Sequence, residues 1–449
     1  MKNTSYSFWE DNYGDYTPNA PLKGNQTADV VVIGGGFTGL TVAREVRNDN
    51  PGARVVVLEA RYVGFGASGR NGGFNASQFG FEPGLVKLMW GKERAGEAQN
   101  YMKKAVEYVR NLSEDHELDN DYEHKGGLRI AYTPPQVARL KKTFELLNEF
   151  SPSSCEWLNA PEVQARVNSP RPQAALFEPD VGVLDPTKHV RALKRLAEAA
   201  GAEIYENSPV TTFKLRHGGV EVLHREGRIK AERIVIALNA WTHLFRGPSK
   251  LKSRQRPVWT SQVVTEPLSS AVWDKIGWAA RESIVDNRKL MHYFRRTACG
   301  RIVMGGGNIA LPGSRALDRM DTPKLYAALE AQIKWLFPVL QDVKITHQWG
   351  GAVSINTNGT PEVSFIGDER VIHASGCIGH GVSLTQLNGR MIADIIAEQK
   401  TERTDFWILN RKSIPFPGDP IGHLFGHGFR GTMQLWDNLN ERSLRDTPQ

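Results

Sequence analysis

Apolar positions fall into two kinds of pattern along the chain. Short β-branched runs, DVVVI at 29–33 and then Arg54 to Leu58, have the length and composition of buried strands. Between the two, LTVAREVRN sets Leu40, Ala43 and Val46 on one helical face before NDNPG stops the helix. Strict alternation appears instead in KLMHYFRRTACGRIVMGGGN, which predicts a β-hairpin with Met291, Tyr293 and Arg295 on one face and His292, Phe294 and Arg296 on the other. Further on, Val371 to Ala374 predicts a brief strand, Gly376 and Gly379 a sharp turn, and Val382 onward a helix with Leu384, Leu387, Met391 and Ile395 inward. No apolar run is long enough to span a bilayer, and no solenoid repeat is present.

A chain of 449 residues exceeds what one core accommodates, so two or three lobes are expected. The formal charge of +7 is scattered rather than blocked, which predicts a solvated basic surface and no nucleic-acid partner. Cys155, Cys299 and Cys377 are widely spaced and odd in number, excluding a disulfide framework and a CxxC metal site. The start, MKNTSYSFWEDNYGDY, lacks a basic-then-apolar leader, and the expected location is the cytoplasm.

The chemistry begins where the first strand ends. Gly34, Gly36 and Gly39 fit G-x-G-x-x-G, with Phe37 and Thr38 opening the helix. The first glycine makes a tight turn, the second admits a pyrophosphate to the backbone, and the third lets helix and strand pack closely. The helix N-terminus offers unpaired N–H groups to phosphate. Glu59, ending the second strand and followed by Ala60, can accept from both ribose hydroxyls and would repel a 2′-phosphate. The unit predicts a dinucleotide, but this unit by itself does not separate FAD from NAD.

The next stretch changes that. GFGASGRNGG at 64–73 is dense in glycine and free of acids, and its N–H groups and Arg70 can follow a longer cofactor from phosphates toward a flavin. DVVVIGGGFTGL, VVVLEA and VGFGASGRNGG together resemble the D-amino-acid-oxidase-like (DAO) family of FAD-dependent amine and amino-acid oxidoreductases, and within it the γ-glutamylputrescine oxidase-like branch. The resemblance extends through ALFEPDVGVLDPTKHVRALKRLAEAAGAEIYENSPV, IVIALNAW and ASGCIGHGVSLTQLNGRMIAD.

This resemblance implies an α/β fold: a Rossmann-like FAD-binding domain (27–90, 183–250 and 345–400) and an α+β substrate domain on a mostly antiparallel sheet (91–182 and 251–344). An extended N-terminal arm (1–26) laid on the surface and a C-terminal wrap (401–449) broken by Pro and Gly complete it. It implies non-covalent FAD contacts from Ser68, Gly69, Arg70, Asn71, Gly72, Val210, Asn239, Ala240, Gly379, His380, Gly381 and Val382, beside those of the first motif. At His380 either the ring assists charge stabilisation on the flavin or only the backbone matters. Tyr293 and Arg295 match a Tyr-x-Arg pattern over the flavin, where Arg295 would capture a carboxylate or phosphonate or else form a sheet-surface ion pair; Arg256 is a further substrate candidate, and Trp349 is core or cofactor wall.

No hydrolytic constellation is present, and His423 and His427 lack a third metal ligand. The expected reaction is hydride transfer from a neutral amine or amino-acid-like substrate to flavin, with O2 as acceptor. The rivals are a dehydrogenase feeding a quinone or carrier protein, and a non-catalytic FAD-binding subunit.

Overall fold

The β-branched runs form neighbouring parallel strands. Gln26–Ile33 pairs with Val55–Leu58 on one side and with Gly227–Ile236 on the other, and Glu203–Tyr205 extends the sheet beyond Val55–Leu58. Val371–Ser375 pairs in parallel with the end of Gly227–Ile236, whose beginning carries the antiparallel hairpin Val210–Arg216 and Gly219–His224. Both faces are buried, as β-branched runs require. Val30, Val32, Val55 and Val57 pack with Leu40, Leu193, Leu384 and Met391 of three helices, and Val31, Ile33, Val56 and Leu58 pack on the other side with Val222 and Ile229. The structure is a computed structural model describing residues 7–312, 317–318, 322–412, 414–418 and 420–441.

A second eight-stranded sheet runs in the order Ile345–Ile355, Arg256–Thr265, Ile302–Ala310, His292–Arg296, Ser283–Asp286, Gly127–Ala131, Ala174–Glu178 and Glu156–Asn159. It is antiparallel except where Ser283–Asp286 meets Gly127–Ala131. The alternation expected at 291–296 holds: Phe294 enters the core of this sheet with Leu128, Ile130 and Trp278, while Tyr293 faces the other way.

Three expectations give way to tertiary context. Ile345–Ile355, assigned by sequence to the cofactor domain, is the edge strand of the second sheet, paired along its length with Arg256–Thr265. Within the N-terminal arm, whose residues 1–6 lie outside the described residues, Phe8–Tyr13 is a helix with Ser7 and Glu10 forming a capping box and Phe8, Trp9 and Glu10 buried. The C-terminal segment contains a continuous helix, Ile421–Asn440, despite Gly422, Gly426, Gly428 and Gly431; residues 442–449 lie outside the described residues.

Arg295 is the joint between the two sheets, which corrects its expected role as a substrate clamp. It lies on the same face as Tyr293 but one pleat further, where the loop after Gly69 and the N-terminal helix already cover the sheet. Its Nε donates to the Gly72 carbonyl at 2.8 Å, its Nη2 to the Leu184 carbonyl at 2.7 Å, and its guanidinium lies 4.7 Å from the Trp9 ring. A Cβ on Gly73 would fall 2.0 Å from the Leu184 carbonyl oxygen and 2.8 Å from Arg295 Nη2, so only glycine lets the loop sit on this joint. Arg256 is likewise no cavity residue: its Nη2 donates to the Pro417 carbonyl at 2.8 Å and anchors the C-terminal segment. Arg295→Met leaves two buried carbonyls without these donors, and a loss of about 3 kcal/mol is expected in denaturant unfolding; a loss below about 1 kcal/mol would show that the joint is dispensable.

Candidate functional site

Between the two sheets lies a cavity of about 670 Å3. Its roof is the inner face of the second sheet, where alternate residues Val258, Thr260 and Gln262, then Gly351 and Val353, then Met291 and Tyr293 point into it. Its floor and ends are Gly36–Thr38, the loop from Ala67 to Gly72 excepting Gly69, and the turn from Ala374 to Val382 excepting Gly376.

The first end follows the glycine motif. Gly34 has φ +113°, and a Cβ there would lie 2.6 Å from the Ala237 carbonyl oxygen; a Cβ on Gly39 would lie 2.0 Å from the Gly34 carbonyl oxygen. Those two glycines therefore fix strand, turn and helix together, while Gly36, Phe37 and Thr38 face the cavity. Gly36 begins the helix Phe37–Asp49 without a side-chain cap of its own; Ser68 Oγ takes the Phe37 amide, and the rest of the helix end faces the cavity as an anion site. Glu59 stands at the strand tip, accepting from the Gly35 amide at 2.8 Å and the Arg61 amide at 2.9 Å, and desolvation raises its pKa. The Ser208 amide donates to the Glu59 carbonyl, which brings the start of Val210–Arg216 toward this tip. Glu59, Ala60 and Val210 thus gather beyond the cavity lining.

The glycine-dense loop mostly holds itself. Ser68 Oγ accepts from the Phe37 amide at 3.0 Å, and Asn71 donates to the Ala67 and Ser68 carbonyls while accepting from the Gly73 amide. Arg70 Nε donates to the Phe65 carbonyl at 2.8 Å, and the Arg70 carbonyl receives Gln262 Nε2 and Trp349 Nε1. Trp349 is therefore a buried wall behind the loop. Gly69 does not line the cavity; a Cβ there would lie 2.3 Å from the Gly64 carbonyl oxygen, so it closes the loop on itself. Ser68, Arg70, Asn71 and Gly72 do line it.

At the opposite end, Gly379, His380, Gly381 and Val382 line the cavity where the helix Gly381–Ile396 begins, again without a side-chain cap. Asn239 joins them; its Oδ1 accepts from Ser354 Oγ at 2.5 Å, whereas Ala240 is buried behind it. Burial, then the charge of Arg129, pushes the His380 pKa down to about 4, so its ring is neutral in ordinary buffers. Burial pushes Tyr293 up to about 12, leaving a protonated phenol on the roof.

Sequence reasoning missed Arg129. It occupies Gly127–Ala131, between Leu128 and Ile130 of the sheet core, and lines the cavity beside Glu178 and Gln78. Its Nη2 donates to Gln78 Oε1 at 2.9 Å and pairs with Glu178 at 3.4 Å, while its buried Nε has no hydrogen-bond partner among the described residues. The signal was available: in GGLRIAY a lone cation alternates with apolar residues.

Two helix N-termini and a glycine floor in one cavity suit an extended anionic cofactor with a planar ring. A Cβ on Gly36 would approach Ser68 Oγ to 2.9 Å, and one on Gly72 would approach the Phe74 and Tyr293 rings to 2.9 Å. Comparison with known proteins agrees. A family model described as DAO, FAD dependent oxidoreductase, matches residues 29–395. The chain is 30% identical to γ-glutamylputrescine oxidoreductase of Escherichia coli (strain K12) over 422 residues, 93% of this chain and 94% of that protein. It is 27% identical to glycine oxidase of Bacillus licheniformis, covering 86% of this chain and 97% of that one. The solved structure of L-proline dehydrogenase from P. horikoshii superposes with a TM-score of 0.72 at 24% identity, covering 91% of this chain and 99% of the other. Glycine turns, helix ends and the family match together make this chain a member of the DAO family of FAD-dependent oxidoreductases, an enzyme whose cofactor is FAD.

Proposed function

We propose that this enzyme oxidises the C–N bond of a primary or secondary amine or amino-acid-like substrate. The observation that carries the reading is the presence, in one cavity, of the uncapped helix end at His380–Gly381 and the buried Arg129 with its unpartnered Nε. The names of two relatives, a γ-glutamylputrescine oxidoreductase and a glycine oxidase, support an amine nitrogen as the reacting group.

FAD supplies a two-electron acceptor when bound. In the substrate, the carbon gives up a hydride as the nitrogen lone pair forms the C=N bond; water then adds to the imine and splits it into a carbonyl compound and an amine or ammonia. Arg129 can hold a carboxylate or other anionic group through Nε, and its charge disfavours an ammonium, which lacks the required lone pair. The Tyr293 phenol offers a neutral hydrogen bond from the roof, and Val258 and Val353 make the roof beside it apolar. The N-terminus of Gly381–Ile396 favours negative charge developing near it. Ser68, Arg70, Asn71, Gly72, Asn239 and the turn Gly379–Val382 are the proposed cofactor contacts along the cavity, with Glu59 and Val210 beyond its end.

O2 is the proposed electron acceptor. A quinone is the second reading, favoured by the apolar residues Leu85, Leu88, Phe429 and Met433 at one side of the cavity.

Anaerobic mixing with amines, amino acids, polyamine conjugates and aminophosphonates should bleach the flavin with at least one class, and air should restore it; absence of bleaching across the panel sinks the proposed oxidation of a C–N bond. Recovery with a soluble quinone but not with air would select the second acceptor. Arg129→Gln should weaken binding of an anionic substrate about 10- to 100-fold in a reductive titration, while a neutral amine is affected little. Equal loss for both would remove Arg129 from substrate recognition. Because the His380 ring is already neutral above a pH of about 4, His380→Asn should leave the alkaline-rising limb of the flavin-reduction rate in place; a displaced limb would show that the ring titrates during the reaction.

A further inference from the structure

Two helices flank one side of the cavity, and both turn apolar side chains to solvent. Pro83–Trp90 exposes Leu85, Leu88 and Met89, with Leu88 81% exposed although it also lines the cavity. Ile421–Asn440 exposes Ile421, Leu424, Phe425, Leu435, Trp436 and Leu439, between 48% and 68% each. Their spacing puts these six on one stripe of the helix. The other side faces inward: Phe429 and Met433 line the cavity, and Asp437 accepts the amides of Lys289 at 2.8 Å and Leu290 at 2.9 Å. The two helices are held near one another. Phe81 packs on Phe429 with centroids 6.2 Å apart, and Lys289 binds Glu82 while lying 6.0 Å from the Trp436 ring.

Cations outnumber acids on this rim: Lys87 and Lys92 share Glu149, and Lys289 and Arg139 share Glu82. Asp437, the acid of Ile421–Asn440, is spent inward, Pro83–Trp90 has none, and Glu82 is paired with Lys289. Outward there remain Lys87, which shares a single partner, Glu149, with Lys92, and the exposed Lys412, while Arg430 turns inward to the Ile309 carbonyl. A second copy of the chain would set this basic fringe against itself, since an isologous contact repeats the same patch. An anionic lipid surface complements it, and an apolar stripe edged by Trp436 and basic groups is the make-up of a helix lying in a bilayer interface. No helix among the described residues is long and apolar enough to cross a membrane, so contact would be with one leaflet.

We propose that this rim docks on the surface of an anionic lipid bilayer, with the outward stripe of Ile421–Asn440 lying among the headgroups and the cavity's apolar side at the lipid boundary. The inference does not rest on the identity of the substrate or acceptor. Full-length holoenzyme is sedimented with vesicles of phosphatidylcholine alone and with vesicles of equal parts phosphatidylcholine and phosphatidylglycerol. The wild type should pellet with the mixed vesicles and less with the neutral ones. Leu424→Asp combined with Leu435→Asp should lower partitioning about tenfold or more, leaving the flavin spectrum and the solution activity unchanged; Leu424→Ser with Leu435→Ser serves as the milder pair if the acidic one misfolds. A wild type that stays in the supernatant, or variants that bind as well as it does, overturns the proposal. So does a lipid-free dimer that these substitutions make monomeric, which would assign the stripe to a second copy.

Discussion

A single buried guanidinium sets the relation between the glycine-dense loop and the second sheet. Arg295 comes from the second sheet, yet its hydrogen bonds end on Gly72, in the loop expected to meet the cofactor, and on Leu184, just before the helix Pro186–Ala199. Burial lowers its pKa to about 10, and the field of Asp185 works against that shift, so it remains a cation at neutral pH. A charge in such a position is tolerated only where its donors are matched, and its partners are therefore tightly placed. Tyr293, two residues earlier on the same strand, shares that placement, so roof and floor of the cavity are positioned by one strand.

The strand–glycine–helix–strand unit was legible because its constraints are local: a positive φ at Gly34, no room for a Cβ at Gly39, and helical spacing after it. The hairpin at 292–310 was legible for the same reason, through period-two alternation. What alternation does not encode is what covers a face at each step. Tyr293 meets a cavity and Arg295 meets Gly72, Leu184 and Trp9, although the two side chains point the same way. That difference is decided by segments more than a hundred residues away in sequence.

Arg129 was missed for a related reason: its strand sits in an insert whose pairing with Ser283–Asp286 is long-range, and only that pairing carries it to the cavity. The helix Ile421–Asn440 was missed because four glycines lower its intrinsic propensity. Tertiary contacts outweigh that cost here, chiefly Asp437 on the amides of Lys289 and Leu290 and Phe429 on Phe81. The dense glycines of 64–73 divide between two tasks. Gly72 keeps the floor open under Tyr293, whereas Gly69 packs on the Gly64 backbone and Gly64 on the Val190 side chain.

The N-terminal helix gives the fold a particular order of assembly. Ser7 hydrogen-bonds the Gly69 carbonyl, Trp9 stacks against Arg295, and Phe8 lies beside Arg301 and His347. During synthesis Phe8–Tyr13 leaves the ribosome well before most of those surfaces exist. The contacts of this helix with Arg295, Arg301 and His347 can form only once the second sheet is in place, so its docking depends on strands nearly three hundred residues or more further along the chain.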